Sequence, residues 1–359
     1  MINRVFLYPF IQSHWACFES LVPSWKEQGW EVFVIDDGLQ SHWSWRDLLV
    51  KNEDVRPVFD EREIAQLRID VHDILLVGND SDGPVVKWIE YFRKSGATSI
   101  MLQDGWLVSK NILRPIYRTP NLGMKFRWWL HYILVRYTLF GKRRFHNFLC
   151  QNADLFFVYS EYSKRELKRA GVEEGRIRIT GSPKHQLLKE ARKPAVAEHW
   201  ILFTTISYTE QDLQDTVECI KFILSMDECP GLLVKLHPDE ERSKYQLTHP
   251  QLEYVDGTFS EVMQRYRISI GFCFASTVVL DLLMMDIPFV QLAINGMEKR
   301  YSNYFFDLSM VRDLESLEEE IKGYNLLEMK TRGEKYLLDL KDDFDSRKEV
   351  VDVIKQLGR

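Results

Sequence analysis

Short apolar runs alternate with stretches of helical periodicity along most of this 359-residue chain, and that rhythm constrains the fold more than any other feature. Arg4 to Phe10 reads as a buried strand, Trp15 to Gly29 as a helix closed by a glycine, and Glu31 to Ile35 as a second strand. Ile74 to Val77 is a strand, Pro84 to Ser95 a helix with proline in its first turn, and Thr98 to Leu102 another strand. Leu155 to Val158, a helix from Ser163 to Ala170 and Ile177 to Ile179 continue the pattern. Strands separated by helices pair in parallel, because the crossover returns each strand to the same end of the sheet.

A polar stretch from Lys184 to Glu198 interrupts the alternation and reads as a linker. Beyond it the pattern restarts. Strands are predicted at Trp200 to Ile206, Leu232 to Leu236, Ile268 to Gly271 and Phe289 to Ala293, with helices at Glu210 to Met226, Ser260 to Arg267 and Thr277 to Met285. Two α/β domains follow: residues 1–184, then a linker at 185–199, then residues 200–340. The charged, helix-patterned tail 341–359 is expected to pack back on the first domain.

Each domain is long enough to bury a core without disulfides or metals. Five cysteines with wide spacing and no CxxC pair suggest neither a disulfide framework nor zinc, so a reducing cytosol is expected. Met1 leads directly to Arg4 and a strand-like run, without the succession of a signal peptide, and no eighteen-residue apolar run predicts a spanning helix. The net charge of −6 argues against nucleic acid as a partner. It hides a local anomaly: residues 106–150 carry nine Lys or Arg, no acid and ten aromatics. The other 38 basic residues face all 53 acidic ones.

In open parallel sheets ligands bind beyond the carboxyl ends of strands, so polar residues just after strand-like runs are the first candidates. Lys235-Leu236-His237-Pro238 ends a strand, and the proline holds His237 extended, where its ring would reach a phosphate. Ser276 and Thr277 stand where a helix begins and would offer hydroxyls and free N–H groups to an anion. Asp281, one turn later, would accept ribose hydroxyls. After the first strand, His14 would contact an acceptor or sit at a helix start on the surface. The Lys164-Arg165 pair reads as a solvated helix face.

The strand-terminal His237-Pro238, the later Ser276-Thr277 and the run Ile179-Thr180-Gly181-Ser182-Pro183-Lys184 resemble the two-domain GT-B glycosyltransferases. Bacterial sialyltransferases, capsule Kdo transferases and CDP-glycerol glycerophosphotransferases are similar here, and the Gly-Ser-Pro step is also similar to UDP-GlcNAc 2-epimerases. The resemblance implies two Rossmann-like domains facing a central cleft. It implies that His237, Ser276 and Thr277 hold the donor phosphate, Asp281 the ribose, and Lys184, Lys235 and Pro238 further donor contacts. The sialyltransferase-like group carries an acidic, acidic, Gly step whose carboxylate is the base. Two sites fit it: Asp36-Asp37-Gly38, and Gln103-Asp104-Gly105 with glutamine in the first place. Asp104 is favoured, because its strand lies nearer the middle of the sheet; Asp37 is the alternative.

The expected activity is an inverting transfer, without metal or cofactor, from a nucleotide-activated sugar to a cell-surface glycan or glycolipid, with CMP-linked Kdo or sialic acid as the first donor. CDP-glycerol transfer, 2-epimerisation and non-catalytic glycan binding are the alternatives. Asn79-Asp80-Ser81-Asp82-Gly83 contains the Asp-x-Asp of metal-binding GT-A transferases, but reads as turn and cap chemistry before Pro84. The basic aromatic segment 106–150 suggests peripheral contact with an anionic membrane from the cytoplasmic side. A buried helix over 126–140, or recognition of an anionic acceptor with Arg114 and Arg118 as contacts, is the other reading of it.

Overall fold

The computed structural model describes residues 4–10, 12–38, 54–80, 83–104, 152–169, 171–190, 198–205, 209–237, 240–301 and 304–357. The chain divides into two compact units, residues 1–186 with 335–359, and residues 187–334.

In the first unit β1 (Arg4–Tyr8), β2 (Glu31–Ile35), β3 (Arg56–Val58), β4 (Asp73–Val77), β5 (Thr98–Leu102), β6 (Leu155–Val158) and β7 (Ile177–Ile179) form a parallel sheet in the order β3-β2-β1-β4-β5-β6-β7. Its central strands are apolar after their first residues because both faces are covered. Val5 and Leu7 point into one core with Trp15, Phe18 and Trp25, while Phe6 and Tyr8 point into the other with Trp88 and Phe92. The helix Ser346–Leu357 supplies Val350, Val351 and Ile354 to the first of these cores. Arg4 grips Asp73 with two hydrogen bonds of 2.7 and 2.6 Å, setting the start of β1 against β4.

In the second unit β8 (Glu198–Phe203), β9 (Leu232–Lys235), β10 (Leu252–Tyr254), β11 (Arg267–Cys273), β12 (Phe289–Leu292) and β13 (Met310–Val311) form a second parallel sheet, ordered β10-β9-β8-β11-β12-β13. The strand order reverses between β1 and β4 in one sheet and between β8 and β11 in the other. At such a reversal neighbouring crossovers leave on opposite faces and open a crevice at the carboxyl ends. The fold is α/β with two Rossmann-like units.

The structure revises several boundaries. The helix expected from Trp15 to Gly29 is two helices, Gln12–Glu19 and Val22–Glu27, because Pro23 cannot donate to the preceding turn. The stretch read as a linker begins as a helix, Pro183–Glu190, with proline at its first position, and ends in β8 from Glu198. Residues 335–340, assigned to the second domain from sequence, group with the first unit. The Leu338 N–H donates to the Tyr159 carbonyl (3.1 Å) and the Ser182 N–H to Asp339 Oδ2 (2.7 Å). Short edge strands β3, β10 and β13 escaped the sequence reading. Among the described residues no helix is long and apolar enough to cross a membrane.

Candidate functional site

In the first unit the reversal point gathers a buried polar cluster. After β1 the chain enters the helix Gln12–Glu19, and the Phe10 N–H donates to His14 Nδ1 (3.2 Å). An imidazole nitrogen that accepts carries no proton, so in the neutral ring the proton is on Nε2. That nitrogen lies 3.8 Å from Asp104 Oδ2, beyond the end of β5, and both side chains are nearly buried. Cys17, three residues on and thus on the same helix face, brings Sγ to 4.0 Å from Asp104 Oδ1. The ring fits only because residue 78, just after β4, is glycine: a Cβ there would lie 2.5 Å from Nδ1 and closer still to Cγ and Cδ2.

Gln103 fills the place of the first acid in the Asp-Gly step. Its backbone N–H donates to Phe157 and its Oε1 accepts from the Tyr159 N–H (2.9 Å each), which extends the β5–β6 pairing past the strand ends. The fully buried Tyr159 hydroxyl is pushed to high pKa, first by burial; the Lys184 charge opposes this, while Cys17 and Asp104 reinforce it. Cys17, Gly78 and Tyr159 went unnoticed in the sequence. A glycine directly after a strand was the one available signal, and it is a weak one.

The other acidic candidates have different surroundings. Asp37 accepts from the Tyr8 hydroxyl on both oxygens (3.1 Å) and from Trp88 Nε1 (2.8 Å). Gly38, at φ +71°, turns back so that its N–H reaches Asp36 Oδ1 at 3.3 Å, an Asx turn. Asp80 Oδ2 accepts from the Asn152 and Ala153 N–H groups (2.8 and 3.1 Å). Burial lifts its pKa to about 7 against those bonds and the charge of Arg176. Asp80 thus ties the end of β4 to the segment leading into β6; Asp82 lies outside the described residues.

In the second unit the ends of β8 and β9 are joined by Thr204, whose N–H donates to the Lys235 carbonyl (3.1 Å) and whose Oγ1 accepts from the His237 N–H (3.1 Å). Lys235 is half-buried, and burial pulls its ammonium pKa down while Asp256 and Glu261 pull the other way. After β11, Ser276 Oγ accepts from the Val278 N–H (3.2 Å), capping the helix Val278–Met284, and Thr277 occupies the cap position without a side-chain bond. Asp281 is buried, and its charge adds to the effect of burial in raising the Cys273 thiol. Lys235 and His237 thus stand at the end of β9, next to β8, and Ser276 and Thr277 between β11 and the helix that carries Asp281.

A network that the sequence reading missed lies in the same unit. Asp212 Oδ2 accepts from the Tyr301 hydroxyl (2.8 Å) and the Thr209 N–H (3.1 Å), and Asp215 Oδ1 from Gln211 and Asn295 amides (2.8 Å each). Asn295 has φ +51° just after β12. Thr209 spaced three residues from Asp212, a capping box, was the legible part. Pro238, Arg114, Arg118 and the whole of 106–150 lie outside the described residues. Among those described, no group of three or more His, Cys, Asp or Glu could hold a metal ion.

No protein-family model matches the chain, and no curated protein matches it either. Solved structures do. The wall teichoic acid polymerase TagF is 12% identical, with a TM-score of 0.62 over 99% of this chain and 89% of that one. A glycosyltransferase from Rickettsia africae ESF-5 is 11% identical, with a TM-score of 0.56 over 99% of both chains. The UDP-GlcNAc 2-epimerase from Methanocaldococcus jannaschii is 10% identical, with a TM-score of 0.59 over 98% of this chain and 99% of that one. At such identities the likeness establishes the fold, that of GT-B proteins with two Rossmann-like domains.

Proposed function

We propose that this chain is an inverting, metal-independent GT-B transferase that moves a sugar from a nucleotide-activated donor to a glycan or lipid-linked acceptor, with Asp104 as the base. The observation that carries this reading is the His14–Asp104 pair. With Nδ1 occupied by the Phe10 N–H, His14 directs its Nε2 proton toward Asp104. At 3.8 Å this is a close polar approach and not a hydrogen bond; shortened with acceptor bound, it would orient the carboxylate for proton transfer. Asp37, by contrast, accepts from two buried side chains of its own sheet and helix, a structural role.

In the transfer, Asp104 takes the proton of the acceptor hydroxyl as that oxygen bonds to the anomeric carbon. The bond from that carbon to the donor phosphate breaks, and the nucleotide leaves with both electrons. Donors at the end of β9 and the start of the helix Val278–Met284, namely His237, Ser276 and Thr277, would stabilise the phosphate. Asp281 and Lys235 would complete the donor site. His14 would orient the base in this way as well as contact the acceptor.

CMP-linked Kdo or sialic acid is the first donor assignment, from the His-Pro and Ser-Thr steps. CDP-glycerol is the second, supported by the fold shared with TagF. Segment 106–150 supports work at the cytoplasmic face of an anionic membrane by composition alone. Thermal midpoints with CMP, CDP, UDP and GDP test the donor, since a ligand at 100 times its Kd adds about 2.7 kcal/mol. Stabilisation by UDP or GDP but not by cytidine nucleotides would overturn the ranking. Asp104→Asn is expected to cut transfer by about 10²–10⁴ while nucleotide binding persists. Full activity in that variant would remove Asp104 as base, and nucleotide binding abolished by a chelator would remove metal independence.

A further inference from the structure

We propose that Arg165, Lys335 and the Tyr162–Tyr336 ring pair form a binding site for an oxyanion, a phosphoryl or carboxylate group, carried on a sugar. The two rings lie 5.1 Å apart at 60°. The Arg165 guanidinium sits 5.9 Å from the centroid of Tyr162, and the Lys335 ammonium 4.8 Å from that of Tyr336. Two cations from distant parts of the chain are thus held beside one aromatic platform, both side chains exposed.

The rest of the helix Glu161–Arg169 shows what is unusual here. Its other cations are bridged: Lys164 and Lys168 to Glu174, and Arg169 to Glu166. Arg165 alone in that helix has no carboxylate partner among the described residues. Across the ring pair stands Lys335, whose charged form is disfavoured first by burial and then by the positive charge of Arg165. An anion between them relieves that repulsion. The guanidinium fork matches two oxygens of a phosphate or carboxylate, and the ammonium supplies a third donor. The partly exposed ring of Tyr162, backed by the buried Tyr336, offers the apolar surface on which the C–H face of a sugar packs.

Position adds to the chemistry. Tyr162 and Arg165 belong to the first turns of the helix that follows β6, on the carboxyl side of the sheet, and β6 pairs directly with β5, which leads into Asp104. The return segment is fastened there by the bond from the Leu338 N–H to the Tyr159 carbonyl. That the bound sugar is the acceptor rests on the transferase reading; the existence of the site does not.

The test uses the full chain with 3-fluorotyrosine at position 162 and no donor. Sodium phosphate and sodium glucuronate are titrated separately by fluorine NMR against sodium chloride at matched ionic strength. A saturable shift is expected with at least one oxyanion, at least tenfold weaker in Arg165→Ala and in Lys335→Gln. Arg165→Lys should fall between, since it keeps the charge and loses the fork. Saturation by phosphate alone assigns a phosphoryl ligand, by glucuronate alone a carboxylate, and by both a general oxyanion site. A response that chloride reproduces, or that Arg165→Ala leaves unchanged at an unaltered thermal midpoint, overturns the proposal. Loss of transfer in Asp104→Asn with oxyanion binding intact keeps the two readings separate.

Discussion

Replacing Gly78 by alanine perturbs the candidate site by one methyl group. Gly78 does not have the left-handed backbone that would strain any substitution, so the cost arises from contact alone. The added Cβ would lie 2.5 Å from His14 Nδ1 and closer still to Cγ and Cδ2. Carbon contacts are optimal at about 3.5–4.0 Å, so the ring must retreat by about 1.5 Å. It is almost wholly buried, and it is held by the 3.2 Å bond from Phe10 and its approach to Asp104. Overpacking of this kind costs about 1–3 kcal/mol, and the bond lost to Phe10 about 1 more. Misplacing a group at the reacting centre by 1 Å costs transfer on the order of 10²-fold. A double-mutant cycle isolates the cause. In His14→Ala the ring is gone and the methyl enters the vacated space, so adding Gly78→Ala should cost less than about 0.5 kcal/mol there. Urea unfolding of the four proteins gives the coupling, and transfer rates give its chemical consequence. A Gly78→Ala cost that is equal in both backgrounds, or wild-type transfer in the single variant, refutes the reasoning.

Asp80 makes the stability of the first unit depend on pH. Its folded pKa of about 7 lies above the ordinary carboxylate value of 3.8, so the native state holds a proton that the unfolded chain has lost between those values. Stability is therefore full below pH 4 and declines as pH rises toward 7, by on the order of 4 kcal/mol in all. Asp80→Asn, which can still accept from Asn152 and Ala153, should flatten that slope in urea unfolding at pH 5 and 8; an unchanged slope removes Asp80 as its source. Asp37→Ala orphans the buried Tyr8 hydroxyl and Trp88 N–H, at about 1–3 kcal/mol each, while transfer per folded molecule persists. If transfer vanishes in a stably folded Asp37→Ala, that residue is the base. Gly181, at φ +68°, has Phe344 Cε1 at 2.6 Å from where a Cβ would be and Asp339 nearer still. Gly181→Ala should speed proteolysis of the C-terminal segment, and equal protection would show that segment is held elsewhere. Thr209→Ala removes a capping-box acceptor and should cost the second unit about 1 kcal/mol in thermal unfolding.

The parallel sheets were legible because a doubly covered strand leaves a plain mark: every residue apolar, with helical periodicity on either side. Val5, Phe6, Leu7 and Tyr8 are all fully buried, alternately into two cores, and no other arrangement of that run satisfies both faces. Edge strands lack this mark. Arg56-Pro57-Val58 pairs on one side only and tolerates a proline, so nothing in its composition distinguishes it from a loop. Helix boundaries failed where one residue outweighed a long pattern, as Pro23 does at the start of the helix Val22–Glu27.

The two Asp-Gly steps show why a site is harder to read than a fold. Asp36-Asp37-Gly38 matches the acidic pattern in full, yet its second carboxylate is met by a tyrosine from β1 and a tryptophan 51 positions along the chain. Gln103-Asp104-Gly105 matches it less well, yet its aspartate faces His14 from another strand end, across a gap that a glycine after a third strand leaves open. A carboxylate's role depends on which donors reach it and whether they leave it able to accept a proton. Those donors come from residues 8, 14, 17 and 88, whose proximity follows from strand order and not from spacing in the chain. Once β1, β4 and β5 are known to be adjacent, Gly78 and Asp104, just past the ends of β4 and β5, follow as neighbours of His14 in the first turn of the helix after β1. The candidate site was therefore readable at second order, through topology. The acidic step that matches the pattern in full, being complete within three residues, contains no information about its surroundings.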